Sequence, residues 1–295
     1  MTDLAAYPSG LRARAEELAA PFPALLADAD QLARTLMMGG HGRRRAGAGS
    51  EFWQYRPAQA GDAARAIDWR RSGQSDVYFV REKEWQAAQS VHFWCDLSKS
   101  MQFSSLENSA TKHQYAALLT LALSILLMNG GERVALDSLG TPPRIGGQQL
   151  RRIAEGLSMS QNVENGVPDV SNFAPQSRAV FLSDFLGPIA PIEDAVAAAA
   201  DRGINGVLCQ ILDPAEEAFP YQGRTVFTSM AGSASHETLR AGDLKERYLD
   251  RLSERKAALR SLAAQAGWQY SCHHTNTSAG AALLWMFQAL EQGAR

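Results

Sequence analysis

The stretch Val91-His92-Phe93-Trp94-Cys95-Asp96-Leu97-Ser98-Lys99-Ser100-Met101 decides how the chain folds. Its first five residues form a short apolar run with the length and composition of a buried strand. The turn behind it would aim three alternate oxygen-bearing side chains, Asp96, Ser98 and Ser100, at a common point above the strand's carboxyl end. Hard divalent cations such as Mg2+ take oxygen ligands and keep several waters, and one carboxylate with two hydroxyls can offer such a set. The same residues would equally serve as a capping turn that binds nothing, because Ser after Asp is common at helix N-caps.

Working outward, Thr111 to Met128 is rich in Ala and Leu and stops at Asn129-Gly130-Gly131, so the turn opens a helix. A second apolar run, Ala179-Val180-Phe181-Leu182-Ser183, delivers Asp184 to a loop in the same way. Asp96, Ser98, Ser100 and Asp184 are thus the candidate ligands of a Mg2+ ion, at a spacing that resembles a metal-ion-dependent adhesion site. From Ser90 onward strands are expected near 91–95, 133–138, 179–183, 206–212, 225–229 and 268–273, with helices at 111–128, 148–157, 192–202, 244–266 and 279–291. This alternation predicts a doubly wound, mostly parallel α/β sheet over residues 89–295, with both aspartate loops at one edge.

Residues 1–88 read as an N-terminal elaboration: two helices broken near Pro21-Phe22-Pro23, a Gly/Arg loop from Gly39 to Ser50, then an irregular aromatic-rich segment with a strand at Val77 to Arg81. In that segment Asp68 and Trp69 follow Ile67 in an apolar-polar alternation, which predicts that Trp69 is a buried anchor. His41 to Arg71 carries seven arginines against three acids, a local charge of +4 in a chain of net charge −2. Arg56, Arg65 and Arg70 have acids nearby to pair with in Asp62, Asp68 and Glu51, whereas Arg43, Arg44 and Arg45 lie in the Gly-rich loop and are expected to face solvent, open to an acidic partner or a phosphate.

Composition narrows the function classes. With 45% hydrophobic and 20% charged residues over 295 positions, the chain can bury a sizeable core, and its overall charge makes no general case for nucleic acid. The apolar stretch Ala116 to Met128 falls short of the roughly 20 residues a bilayer requires and reads as a core helix. Met1 to Gly10 has no long apolar region, so the expected compartment is cytoplasmic. Cys95, Cys209 and Cys272 imply no disulfide frame, and Cys272-His273-His274 would alternate between the faces of a strand, so the three cannot all meet one ion. There is no Gly-x-x-x-x-Gly-Lys-Ser/Thr loop, no Gly-x-Ser-x-Gly elbow, no His-Glu-x-x-His and no Cys-x-x-Cys. The nearest enzyme reading is a metal-dependent phosphohydrolase built on Asp96 and Asp184, although the second acid such enzymes place two positions after the nucleophile is here Ser98.

Gly49-Ser50-Glu51-Phe52, Arg56, Gly61-Asp62, Arg65, Ile67-Asp68-Trp69-Arg70 and Val80-Arg81-Glu82, leading into Asp96-Leu97-Ser98-Lys99-Ser100-Met101 and later Ser183-Asp184-Phe185 and Arg247-Tyr248, resemble the domain-of-unknown-function-58 family. That resemblance implies a von Willebrand factor A-like fold and a MoxR-type AAA+ ATPase as partner in the assembly or activation of other complexes. With the catalytic signatures absent, the expectation is a non-enzymatic interaction protein in which Mg2+ at the candidate ligands can bridge to a partner's carboxylate. A complete adhesion-type site adds a threonine between its two aspartates, yet no Thr lies between Thr141 and Thr225, so Ser158, Ser160 or Ser171 would have to take that place.

Overall fold

The computed structural model describes residues 44–59, 62–63, 67–73, 77–86, 89–105, 110–232 and 234–292. The two helices expected before residue 39, and Arg43 and Arg65, lie outside the described residues. The chain forms two compact units that meet in sequence at Gln89 and Ser90.

In the smaller unit, β1 (Arg44–Pro57) and β2 (Phe79–Gln86) pair antiparallel from Arg44↔Gln86 to Pro57↔Phe79, with register shifts between Gly47 and Phe52 and between Phe52 and Gln54. Residues 44–50 are therefore strand rather than the expected Gly/Arg loop. Glycines weaken a strand, but the ladder uses only backbone groups, and bulges absorb the extra residues. The connection holds one helical turn, α1 (Trp69–Ser72), capped by Asp68, which accepts from the backbone N–H of Arg71 at 3.1 Å and from the Tyr55 hydroxyl at 3.1 Å. Arg56 grips Asp62 with two bonds of 2.8 and 2.7 Å, as the charge pattern predicts, and this bond with that from Gln59 holds the Asp62 carboxyl down to about 2. Trp69 corrects the sequence reading: it is 60% exposed, edge-on to the equally exposed Tyr78. Residues 69–72 coil instead of extending, so a period of two assigns the wrong face, and Ser72 is the residue of that turn that is buried.

The larger unit contains a five-stranded parallel sheet in the order β4-β3-β5-β6-β9, formed by β3 (Ser90–Cys95), β4 (Arg133–Leu136), β5 (Arg178–Ser183), β6 (Asn205–Leu212) and β9 (Gln269–His274). Counted from β3 this is the order 2-1-3-4-5 of a doubly wound α/β fold. Alternate residues of each strand feed opposite layers. Val91, Phe93, Cys95, Val180, Leu182, Val207, Cys209 and Ile211 pack with α2 (Lys112–Asn129) and α7 (Ala279–Gln292). Trp94, Phe181 and Leu208 pack with α4 (Ala190–Asp201), α6 (Lys245–Gln265), Phe173 and Trp268. Burial on both faces is why these strands read as near-continuous apolar runs.

Helix α2 is the stretch short of a membrane span; most of its circumference is buried, and no helix of the described residues is long and apolar enough to cross a membrane. Helix α3 (Gly147–Leu157) completes that layer through Ile153 and Leu157. The strand expected at 225–229 is real but lies outside the main sheet: β7 (Thr225–Thr228) pairs antiparallel with β8 (Ser235–Thr238). Its Thr-Val-Phe-Thr alternation suits a solvated hairpin, not a strand buried on both faces. A short helix, α5 (Pro214–Ala218), follows β6 at the same sheet edge as Asp96 and Asp184.

Glu132, at the foot of β4, is 3% exposed, and burial pushes its carboxyl up to about 7 against the opposing pull of Arg178. A carboxyl held above its unfolded value stabilises the fold fully below that value, and the benefit is lost as pH rises through the folded one. The expected outcome is a loss of about 3 kcal/mol from this group between roughly pH 4.5 and 7. Urea melts of Glu132→Gln across that range should show a flatter pH dependence than the wild type.

Candidate functional site

The strands β3 and β5 are neighbours, and the chain leaves them in opposite directions across the sheet, towards β4 and towards β6. Their carboxyl ends therefore flank the topological switch point, where loops part and leave a crevice. Asp96 and Asp184 are the first residues beyond those strands, 2% and 1% exposed. The backbone N–H of Asp96 still bonds Leu182 at 2.9 Å, so the Asp96 turn is registered against β5.

The Asp96 carboxylate accepts from the Ser98 N–H at 2.9 Å on one oxygen and from the Ser183 hydroxyl at 2.7 Å on the other. Ser98 Oγ lies 3.2 Å from Ser100 Oγ. The structure thus brings Asp96, Ser98 and Ser100 together, as the alternate spacing predicts. The segment before β5 runs across them: the N–H groups of Lys99 and Ser100 donate to Val163 and Glu164 at 2.9 and 3.0 Å. Gly166 packs so closely that a Cβ there would lie 2.4 Å from Asp96 Oδ1. Ser158, Ser160 and Ser171 are exposed and do not line this crevice; Glu164, Asn165 and Gly166 occupy the stretch from which the sequence reading sought a threonine substitute. A cavity of about 280 Å3 opens beside the site, lined in part by Asp96, Asp184, Asn165, Gly187 and Pro191.

Asp184 is held differently. Its Oδ1 accepts from the Leu186 N–H at 3.0 Å, and its Oδ2 accepts from Lys112 Nζ at 2.7 Å. Lys112 is 1% exposed and donates also to Glu216 Oε1 at 2.5 Å. Burial works against its ammonium, but Asp184 and Glu216 more than offset this and raise its pKa. Glu216 is fixed in turn by a capping box at the start of α5, where its other oxygen accepts from the Asp213 N–H at 2.8 Å. Gln210 on β6 donates to the Asp184 carbonyl at 2.8 Å and accepts from the Tyr270 hydroxyl at 2.6 Å.

The two aspartates are therefore not equivalent. Among the described residues Asp96 has no ion-pair partner, and burial, outweighing its bonds from Ser98 and Ser183, raises its pKa. A buried carboxylate beside two hydroxyls fits a hard cation, so Asp96, Ser98 and Ser100 fit Mg2+. Asp184 fits less well, because one oxygen already faces an ammonium. Lys112, Glu216 and Gly166 escaped the sequence reading. A lysine at the first position of an otherwise apolar helix was the signal for the first, since the positive end of the helix dipole disfavours a cation there. Asp213-Pro214-Ala215-Glu216, a capping box with Pro at N1, was the signal for the second.

A family model described as "Protein of unknown function DUF58" matches residues 54–258. An uncharacterized protein of Mycobacterium tuberculosis and one of Mycobacterium bovis are each 28% identical over 197 residues, 61% of this chain and 60% of the relative. The matched part therefore spans less than two thirds of those relatives. Among solved structures, an aerotolerance-related membrane protein from Bacteroides fragilis aligns with a TM-score of 0.42 at 14% identity, covering 70% of this chain and 100% of the other. The conserved hypothetical protein BatB from Bacteroides thetaiotaomicron aligns with a TM-score of 0.39 at 13% identity, covering 70% and 99%.

Replacing Lys112 by Met would leave Asp184 and Glu216 buried without their cation. Breaking one side of a buried ion pair in this way costs about 3–5 kcal/mol. Guanidinium melts of Lys112→Met should show that loss, and Lys112→Met/Asp184→Leu should recover part of it. A change below about 1 kcal/mol in the single variant would mean that the ammonium is not what holds these carboxylates.

Proposed function

Starting from the chain's membership of the DUF58 family, we propose that it is a non-enzymatic, cytoplasmic protein-interaction module with a von Willebrand factor A-type α/β domain. Its partner in this reading is a MoxR-type AAA+ ATPase, which it helps to assemble or activate other complexes. The observation that carries the reading is the gathering of Asp96, Ser98 and Ser100 at the switch point beside an open cavity. Mg2+ held there would supply an open coordination position for a partner's carboxylate, because a carboxylate completes the shell of a hard cation and neutralises its charge.

The chain's own residues supply the rest. Ser183 and the Ser98 N–H fix the Asp96 carboxylate, Gly166 covers one of its oxygens, and Lys112 keeps Asp184 and Glu216 from repelling each other beside it. Binding is favoured over phosphoryl transfer because aspartate-based phosphoryl transfer places a second acid two positions after its nucleophile, where this chain has Ser98.

The test is binding of the purified chain to a purified MoxR-type ATPase, at constant Mg2+, because chelation would also strip an ATPase of its nucleotide's magnesium. Asp96→Ala should weaken capture by about tenfold or more, a difference of ~1.4 kcal/mol. Wild-type protein should show no turnover of p-nitrophenyl phosphate with Mg2+ or Mn2+. Equal capture by wild type and Asp96→Ala would remove the switch-point site from the interface, and metal-dependent hydrolysis that vanishes in Asp96→Asn would make the protein a phosphohydrolase.

A further inference from the structure

A second cluster lies on the far side of α5. Successive side chains of β9 point to opposite faces, so His273 turns towards Trp285 of α7, while Cys272 and His274 share the face covered by α6. Glu217 of α5 reaches the same place. Its Oε2 lies 3.1 Å from His274 Nε2 and also receives Lys256 of α6, while its Oε1 takes no hydrogen bond among the described residues. One donor atom each from Glu217, Cys272 and His274 lie within 4.8 Å of one another, and all three residues are half-buried, within reach of solvent. The Cys272-His273-His274 run does not gather on one ion, as the alternation predicts. The third donor comes instead from 55 residues upstream.

We propose that Glu217, Cys272 and His274 form a binding site for Zn2+. A thiolate, an imidazole and a carboxylate are the ligand types that zinc takes, and its tetrahedral donors stand roughly 3.5 Å apart, so the three groups need to close by about an ångström. The charges balance: Zn2+ meets the Cys272 thiolate, the Glu217 carboxylate and a neutral His274. Binding breaks the Cys272 S–H bond, forms the S–Zn bond and releases the proton to solvent. Lys256 keeps Glu217 Oε2 while Oε1 turns to the metal, and water fills the fourth position.

The probe is Co2+ added to the full chain after treatment with chelator, followed by displacement with Zn2+. One equivalent should produce a thiolate-to-cobalt charge-transfer band with the visible bands of a four-coordinate ion. Cys272→Ser should abolish the charge-transfer band, and Glu217→Gln and His274→Ala should each weaken binding by about tenfold or more. Asp96→Ala should leave the titration unchanged, which separates this site from the one at the switch point. A measurement that needs no variant accompanies it: Zn2+ should slow alkylation of Cys272 in the wild type, read by mass spectrometry. A cobalt band that survives in Cys272→Ser, no band with cobalt in large excess, or alkylation indifferent to Zn2+ would each overturn the proposal.

Discussion

The Lys112 ammonium, buried between Asp184 and Glu216, is the contact on which the carboxyl edge of the sheet depends. It joins three segments that share no local sequence: the start of α2, the turn after β5 and the helix after β6. Placing a cation at a helix N-terminus works against the dipole by about 0.3–1 kcal/mol. Two carboxylates in a site from which water is excluded outweigh that penalty. Removing the ammonium would expose each of them to the other, and the crossovers on either side of the switch point would lose their common fastening.

This fastening explains why two strand-end aspartates that look alike in sequence differ in chemistry. Asp184 is spent on structure, through Lys112 and the Leu186 N–H. Asp96 is left with hydrogen bonds and no countercharge among the described residues, and its surroundings raise its pKa. The Asp96 side is therefore where the proposed cation would find a carboxylate that no ammonium already holds. The gap in the adhesion pattern is consistent with this. Where a threonine was sought, Gly166 lets the covering segment approach Asp96 until backbone touches carboxylate.

Much of this was legible in the sequence because it rests on local periodicity. The strand runs 91–95, 179–183 and 206–212 were readable since burial on both faces leaves no polar alternation to confuse them, and Asp96 with Ser98 and Ser100 lies within one turn. The Lys112 contact was not legible, because its partners are 72 and 104 residues away and no repeat or spacing links them. Trp69 was misread for the opposite reason: a local alternation was present, but one helical turn converts period two into another face altogether. The glycines of 44–50 lower strand propensity, and a backbone ladder with bulges overrode them.

The short helix α5 carries the last step of this reasoning. Its adjacent acids, Glu216 and Glu217, point to different neighbours: Glu216 towards Lys112 and the switch point, Glu217 towards Lys256 and His274 on the β9 side. Five residues cannot hold two opposed side chains by helix propensity alone. The Asp213 cap does so, because it bonds the Ala215 N–H, the Ser105 N–H and the Ser105 hydroxyl, and so pins the helix start to the loop that leads from β3 into α2. The loop before the Lys112 helix and the start of α5 are thereby fastened by one buried carboxylate. With its start fixed in this way, α5 sends Glu216 to Lys112 and Glu217 to the β9 side at once.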